Sequence, residues 1–192
     1  MPIVSTKPIK SISIHVCSAG YSIFKNATTF SEINELANSG LADRFFEVGE
    51  ERFLQIDTCN LYHLRIVGIN QDYLDDDETE TVGLTVEFEE VITKHLAFHG
   101  DEPEPYLNQY ASVPHNYFHD QTYNRYLNNT FYDYLPDELT MCFKEVFKKE
   151  YIDDGSSRID TYKTKLFPFA LSEIGLEDEY YEHSEGEIYQ YY

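Results

Sequence analysis

Basic residues are scarce in this sequence of 192 residues, which has 14 Lys and Arg against 35 Asp and Glu. With a formal charge of −21, the chain lacks the clustered Lys and Arg that neutralise phosphates, so we expect no direct binding to nucleic acid. An anionic membrane surface is disfavoured for the same reason. The partners of this protein should therefore be basic.

Paired cysteines and long apolar runs are also lacking. Cys17, Cys59 and Cys142 are far apart and form no CxxC motif, which argues against a metal knuckle or a redox disulfide and indicates reduced thiols. No apolar stretch is long enough for a signal peptide or a membrane span. We therefore expect a cytoplasmic protein.

Tryptophan is absent, so the aromatic content of 16% comes from 17 Tyr and 13 Phe. Buried tyrosines need hydrogen-bond partners for their hydroxyl groups. With 42% hydrophobic residues, the chain can form a packed core. We predict a single domain over residues 1–192, with a candidate subdomain boundary near 100–114 and an acidic, Tyr-rich tail at 176–192.

The hydrophobic pattern predicts an α+β fold with a small antiparallel sheet and three to four helices. Thr29 and Glu32 form a candidate capping box for a helix that stops at Gly40. Strands are predicted in the segments SISIHV, FFEV, RFLQI, LYHLRIVGI and VGLTVEF, and a further helix over 89–96.

The stretch YLNNTFYDYLPDEL, residues 126–139, predicts a helix end, a turn and a second helix start. Its apolar positions recur at helical spacing, Asn128 and Asn129 tolerate turn geometry, and Pro136 suits a first helical turn. We expect Asp120 to cap the entering helix and an amphipathic helix to continue over 139–149, followed by a loop over 151–158.

A resemblance rests on several short blocks in a fixed order: Phe46–Gly49, Ile66–Asn70, Val82–Thr85, the YLN and FY blocks with Leu135–Pro136, and Leu166–Gly175. This succession resembles a domain-of-unknown-function family of bacterial genomes, prophages and phages. Members usually continue into a Trp-Trp-Leu-Arg-Ser block similar to C-type-lectin-like folds, which this chain lacks. The resemblance implies a phage or mobile-element origin, and with it the cytosol of a host cell, more than it implies a biochemical activity, because the family has no established catalytic residues.

The strongest indication of an enzyme in this sequence is two HxxxH pairs, formed by His95 with His99 and by His115 with His119. On a helix, this spacing places two imidazoles on one face, where they can share Zn²⁺. Neither pair carries the HExxH glutamate, and no cysteine lies nearby. We therefore predict no metal, no cofactor and no enzymatic activity, with a metal-dependent hydrolase as the least favoured alternative.

Acidity is the remaining signal, because no basic residue lies between Arg65 and Lys94. The simpler interpretation of these carboxylates is a solvated surface that confers solubility. The more specific interpretation is nucleic-acid mimicry, in which carboxylates occupy the basic nucleic-acid groove of a partner protein and tyrosines stack where bases would. The predicted partner-binding residues are Asp72, Asp75, Asp76, Asp77, Glu78, Glu80, Glu87, Glu89, Glu90, Glu177, Asp178 and Glu179.

The leading hypothesis is a phage or mobile-element protein that binds and inhibits a basic, nucleic-acid-handling host protein, as anti-CRISPR proteins do. The alternative from another class is a structural or receptor-binding module of a phage particle or cell surface. Among the basic residues, five lysines between Lys144 and Lys165 form one cluster, interpreted as a self-association face or an internal ion-pair face.

Overall fold

The computed structural model describes residues 22–56, 61–89, 122–152, 158–176 and 186–192. Within these ranges the chain is α+β, as predicted, with two small antiparallel sheets and several short helices. One sheet has the order β1-β2-β3, and the other is the pair β4-β5. The strands are β1 (Glu51–Gln55), β2 (Leu61–Ile69), β3 (Leu84–Phe88), β4 (Val146–Ile152) and β5 (Arg158–Thr164).

Three helices precede the first sheet, namely α1 (Ile23–Asn26), α2 (Phe30–Ala37) and α3 (Ala42–Phe45). The predicted capping box of α2 is confirmed: Thr29 Oγ1 accepts from the Glu32 N–H at 3.2 Å, and the Glu32 carboxylate accepts from the Thr29 N–H at 3.3 Å. Gly40 follows the helix with a φ of 75°, in the left-handed region that favours glycine. The predicted FFEV strand is wrong, because its first phenylalanine ends α3.

Gly83 marks the closest approach between α2 and the first sheet. A Cβ at this position would lie 2.0 Å from the carbonyl oxygen of Ala37. Only glycine therefore lets the end of α2 pack against the segment that enters β3.

We expect Gly83→Ala to lower the free energy of unfolding by about 1–3 kcal/mol, because the added methyl group forces backbone to move. Urea denaturation checks this. Gly40→Ala is the matched control, since nothing lies within 4 Å of its Cβ position and only the positive φ opposes it. A Gly83→Ala variant as stable as the wild type would contradict the close approach.

The predicted pair of helices around residues 126–139 is present, with a difference in its geometry. α4 (Thr122–Arg125) runs into a π-helical turn (Tyr126–Phe131), α5 (Tyr132–Tyr134) and, after a bend, α6 (Asp137–Thr140). The apolar residues Leu127, Phe131, Leu135 and Leu139 are buried in the core.

Asn128 and Asn129 lie inside the π-helical turn and do not interrupt it. The Asn128 side chain donates to the Leu166 carbonyl at 2.8 Å and accepts from the Leu166 N–H at 3.0 Å. This paired contact replaces the predicted turn role of Asn128, and it joins two of the blocks on which the family resemblance rests.

The predicted amphipathic helix over 139–149 is wrong. α6 ends at Thr140, and β4 begins at Val146. Val146, Lys148 and Glu150 are buried while Lys149 is exposed, a period of two that belongs to a strand. The predicted loop over 151–158 overlaps the end of β4 at Ile152 and the start of β5 at Arg158, and residues 153–157 lie outside the described residues.

Several predictions lie outside the described residues: the SISIHV strand, the helix from residue 90 onward, the connection at 100–114 and the Asp120 cap. None of the helices in the described ranges combines the length and apolar character that a membrane crossing requires.

Candidate functional site

The acidic segment from Asp72 to Val82, here called the acidic loop, is closed at its base by backbone contacts. The Val82 N–H donates to the Asp72 carbonyl at 2.9 Å, and the Leu74 N–H donates to the Glu80 carbonyl at 2.7 Å. Tyr73 also forms antiparallel bridges with Thr81 and with Phe147 in β4. The loop is therefore fastened to the second sheet as well as closed on itself.

Asp75 organises the inside of the acidic loop. Its Oδ1 accepts from the Thr79 N–H at 2.8 Å and from the Glu80 N–H at 3.1 Å, while its Oδ2 accepts from the Thr79 hydroxyl. These hydrogen bonds, above all the one from the Thr79 hydroxyl, lower the pKa of Asp75 below its ordinary value. The sequence predicted Asp75 as a partner-contact residue. In the structure its carboxylate also fixes the conformation of the acidic loop from within.

The tip of the acidic loop presents its carboxylates to solvent. The side chains of Asp76, Asp77, Glu78 and Glu80 are exposed. Lys149 Nζ lies 2.7 Å from Glu78 Oε1, and this hydrogen bond raises the pKa of Lys149. No ion pair joins Asp76, Asp77 or Glu80 to a base in the described part of the chain, so the tip keeps a net negative charge.

Asp72 is not exposed, which corrects its prediction as a surface contact residue. Its side chain is 7% exposed, and its Oδ1 lies 3.1 Å from Lys148 Nζ. The Tyr189 hydroxyl lies 2.8 Å from both Asp72 carboxylate oxygens, and the Thr85 hydroxyl donates to Oδ2. The carboxylate thus anchors the base of the loop in the protein interior.

Lys148 is the centre of this buried charge network. Its ammonium group contacts the Asp72 and Glu173 carboxylates and lies 2.9 Å from the Tyr189 hydroxyl. Three acceptors match its three N–H donors. No donor of Lys148 is left for a substrate, so the network has the character of a structural anchor.

The buried charge network contains two carboxylates and one ammonium group. Burial raises the pKa of Glu173, and the nearby Lys148 opposes that rise. Burial, followed by the charge of Asp72, raises the pKa of Tyr189 far above its ordinary value, so its hydroxyl stays protonated. Tyr189 therefore serves as a permanent hydrogen-bond donor to Asp72.

The C-terminal residues 186–192 are held against β2. The Tyr191 N–H donates to the Val67 carbonyl at 3.1 Å, and the Gln190 side chain bonds both backbone groups of Ile69, at 3.1 and 3.2 Å. A Cβ on Gly68 would meet the Tyr189 ring at 3.0 Å, so glycine allows this ring to pack on the strand. The predicted acidic tail thus ends in a docked segment.

Glu87 and Glu89 belong to a second group of charges around Arg65. Arg65 Nη2 lies 2.6 Å from Glu87 Oε1, and Nη1 lies 3.3 Å from Glu89 Oε1. The Tyr192 hydroxyl donates to Glu87 Oε2 at 2.8 Å; burial and this hydrogen bond raise the pKa of Tyr192 to about 12. The Glu87 side chain is only 11% exposed, so it belongs to an internal ion pair and is not the surface contact residue that the sequence predicted.

The remaining predicted site residues lie outside the described residues: Glu90, Glu177, Asp178, Glu179, His95, His99, His115 and His119. A small pocket of about 150 Å³ is lined by residues of the acidic loop, among them Asp75 and Glu78, and by Lys148 and Tyr189. Within the described ranges, no group of three or more His, Cys, Asp and Glu side chains is arranged to hold a metal ion.

Sequence reasoning missed Lys148, Glu173 and Tyr189 as members of one network. A signal for Lys148 was available, since VFKKEYI is rich in strand-forming residues and places Lys148 on the same face as Val146. Comparison of the chain with models of known protein families, with curated proteins and with solved structures finds no match.

Proposed function

We propose that this protein binds a basic, nucleic-acid-handling protein through the acidic loop and inhibits it by occupying the groove meant for nucleic acid. The observation that carries the proposal is the exposed group of Asp76, Asp77 and Glu80 on a loop whose conformation is fixed from within. Their carboxylates carry the charge that phosphates would bring to such a groove.

Preorganisation is the reason why this loop suits binding better than an ordinary solvated loop. Its base is closed by backbone hydrogen bonds, its interior by Asp75, and its attachment to the core by the buried Asp72. A loop that is already ordered loses little conformational entropy on binding, so more of the electrostatic attraction appears as affinity.

The charge of the whole chain supports the same partner class. A formal charge of −21 raises the rate of encounter with a basic surface and disfavours acidic partners. The family resemblance, with its phage or mobile-element context, makes a defence protein of the host the natural target. The proposed role is accordingly that of an anti-defence inhibitor.

An affinity pull-down from host lysate, read by mass spectrometry at low and high salt, tests the proposal. We expect it to recover a basic DNA- or RNA-binding protein, in an amount that falls as salt screens the charges. The variant Asp76→Asn, Asp77→Asn, Glu80→Gln should recover about tenfold less of it, because the exposed charge of the loop is removed.

The matched control removes three exposed carboxylates elsewhere, by Glu35→Gln, Asp43→Asn and Asp133→Asn. It reduces the net negative charge by the same three charges and should leave recovery nearly unchanged. Equal losses in both variants would mean that the total charge, and not the acidic loop, determines binding. Recovery of no nucleic-acid-binding protein would refute the proposed function.

A further inference from the structure

A cavity of about 400 Å³ lies between α2, β3, the π-helical turn and the segment that follows β5. Its walls are mainly aromatic and aliphatic and include Phe30, Ile33, Phe88, Phe131 and Phe167. This volume and lining are typical of sites that enclose a small apolar molecule. The cavity is separate from the exposed tip of the acidic loop.

The charged side chains of the cavity lining differ in how they are neutralised. Among the described residues of the lining, the carboxylates are Asp72 and Glu87, which are ion-paired with Lys148 and Arg65 at 3.1 and 2.6 Å. The lysines of this described lining, Lys144 and Lys165, have neutral partners.

Lys144 Nζ donates to the Asn38 side-chain oxygen, and Lys165 Nζ lies 3.3 Å from the Tyr132 hydroxyl and 4.7 Å from its ring centroid. Neither lysine forms an ion pair with a carboxylate within the described residues. Within the described residues, Lys144 and Lys165 are therefore the charged groups of the lining that have no counter-ion, although the chain as a whole is strongly negative.

We propose that this cavity binds a small amphipathic carboxylate. The apolar part of the ligand lies among the aromatic side chains, where burial removes its surface from water. The carboxylate is held by Lys144 and Lys165 through charge-assisted hydrogen bonds. The proposal does not depend on the partner of the acidic loop, since the carboxylate is held by Lys144 and Lys165 and the ligand is of another class.

Isothermal titration with three probes of equal chain length tests the charge selection. The probes are decanoate and decylammonium, each below its micellar concentration, and decanol, below its solubility limit. We expect decanoate to bind in a one-to-one complex and at least about tenfold more tightly than decylammonium. The net charge of the chain favours the opposite order, so the comparison is stringent. Failure of decanoate to bind, or equal or tighter binding of decylammonium, would overturn the proposal.

Substitution of the two lysines locates the carboxylate. Lys144→Gln with Lys165→Gln should weaken decanoate binding about five- to tenfold and leave decanol binding unchanged. Lys25→Gln with Lys163→Gln removes the same charge from two exposed lysines outside the cavity lining and should have no effect. Equal weakening by both pairs would contradict a role for Lys144 and Lys165.

Cys142 provides a reporter inside the same cavity. Its thiol lines the wall and lies 3.3 Å from the Glu138 carbonyl, and burial raises its pKa. Saturating decanoate should slow alkylation of Cys142 by about threefold or more, because the ligand blocks access, as measured by peptide mass spectrometry on the intact chain. An unchanged rate would place any bound decanoate elsewhere and overturn the proposal.

Discussion

Lys148→Met is expected to lower the free energy of unfolding by about 3–5 kcal/mol, because it leaves the carboxylates of Asp72 and Glu173 buried without their cation. Both side chains are less than one-tenth exposed, at 7% and 4%. Methionine fills much of the space of the lysine side chain, so the loss reports the charge and not a cavity. Urea denaturation followed by circular dichroism measures it.

Lys149→Met is the matched control for this substitution. Lys149 is the next residue on the same strand, is about half exposed, and pairs with the equally exposed Glu78. An exposed ion pair of this kind contributes about 0–1 kcal/mol. Equal effects of the two substitutions would contradict the buried network as the anchor of the acidic loop.

The pH dependence of the Lys148→Met variant gives a second, independent result. Burial already raises the pKa of Glu173, and without Lys148 that pKa rises further. A carboxyl group with a raised pKa in the folded state binds protons more tightly there than in the unfolded state. Its contribution to stability is present at low pH and is lost as pH rises, so the deficit of the variant should shrink between pH 7 and about pH 5.

Tyr189→Ala is the second substitution with a large expected effect, about 3–5 kcal/mol in the free energy of unfolding. The Tyr189 side chain is 1% exposed, and its ring centroid lies 5.0 Å from that of Phe169. Removal of the ring leaves a cavity, and removal of the hydroxyl leaves Asp72 and Lys148 short of a partner. Thermal and urea unfolding both measure this loss.

Two further tyrosine substitutions separate these contributions. Tyr189→Phe keeps the ring and should cost about 1–3 kcal/mol, the range for an unsatisfied buried polar group. Tyr191→Ala removes a neighbouring ring that is 40% exposed, with a cation–π contact to Arg65 at 4.3 Å, and should cost about 1 kcal/mol or less. If Tyr189→Ala were as mild as Tyr191→Ala, the docked C-terminal segment would contribute little to the fold.

Local signals in the sequence were sufficient for part of the fold. The capping box of α2 was predictable because Thr29 and Glu32 lie within one turn of each other, and β2 because its strand-forming residues are continuous. The segment after Thr140 was misassigned because Phe143, Val146 and Phe147 also fit a helical period. Contacts with distant residues, among them Tyr73 and β5, select the strand there.

The candidate site was less predictable because its buried part depends on distant residues. Asp72 and Tyr189 are 117 positions apart, and no local pattern relates them. In the sequence, Asp72 resembles Asp75, Asp76 and Asp77, yet only Asp72 meets a buried lysine. The exposure of the loop tip could be predicted from its composition alone. Its fixed conformation depends on the Asp75 hydrogen bonds and on the buried Asp72, which the sequence does not reveal.

The most direct test of the proposed inhibition is a competition between this protein and nucleic acid for the captured partner. Fluorescence anisotropy of a labelled oligonucleotide bound to that partner should fall as the protein is added. The variant Asp76→Asn, Asp77→Asn, Glu80→Gln should require about tenfold more protein for the same release. An oligonucleotide that stays bound while the partner is saturated with this protein would contradict the account, because the acidic loop would then not occupy the nucleic-acid groove.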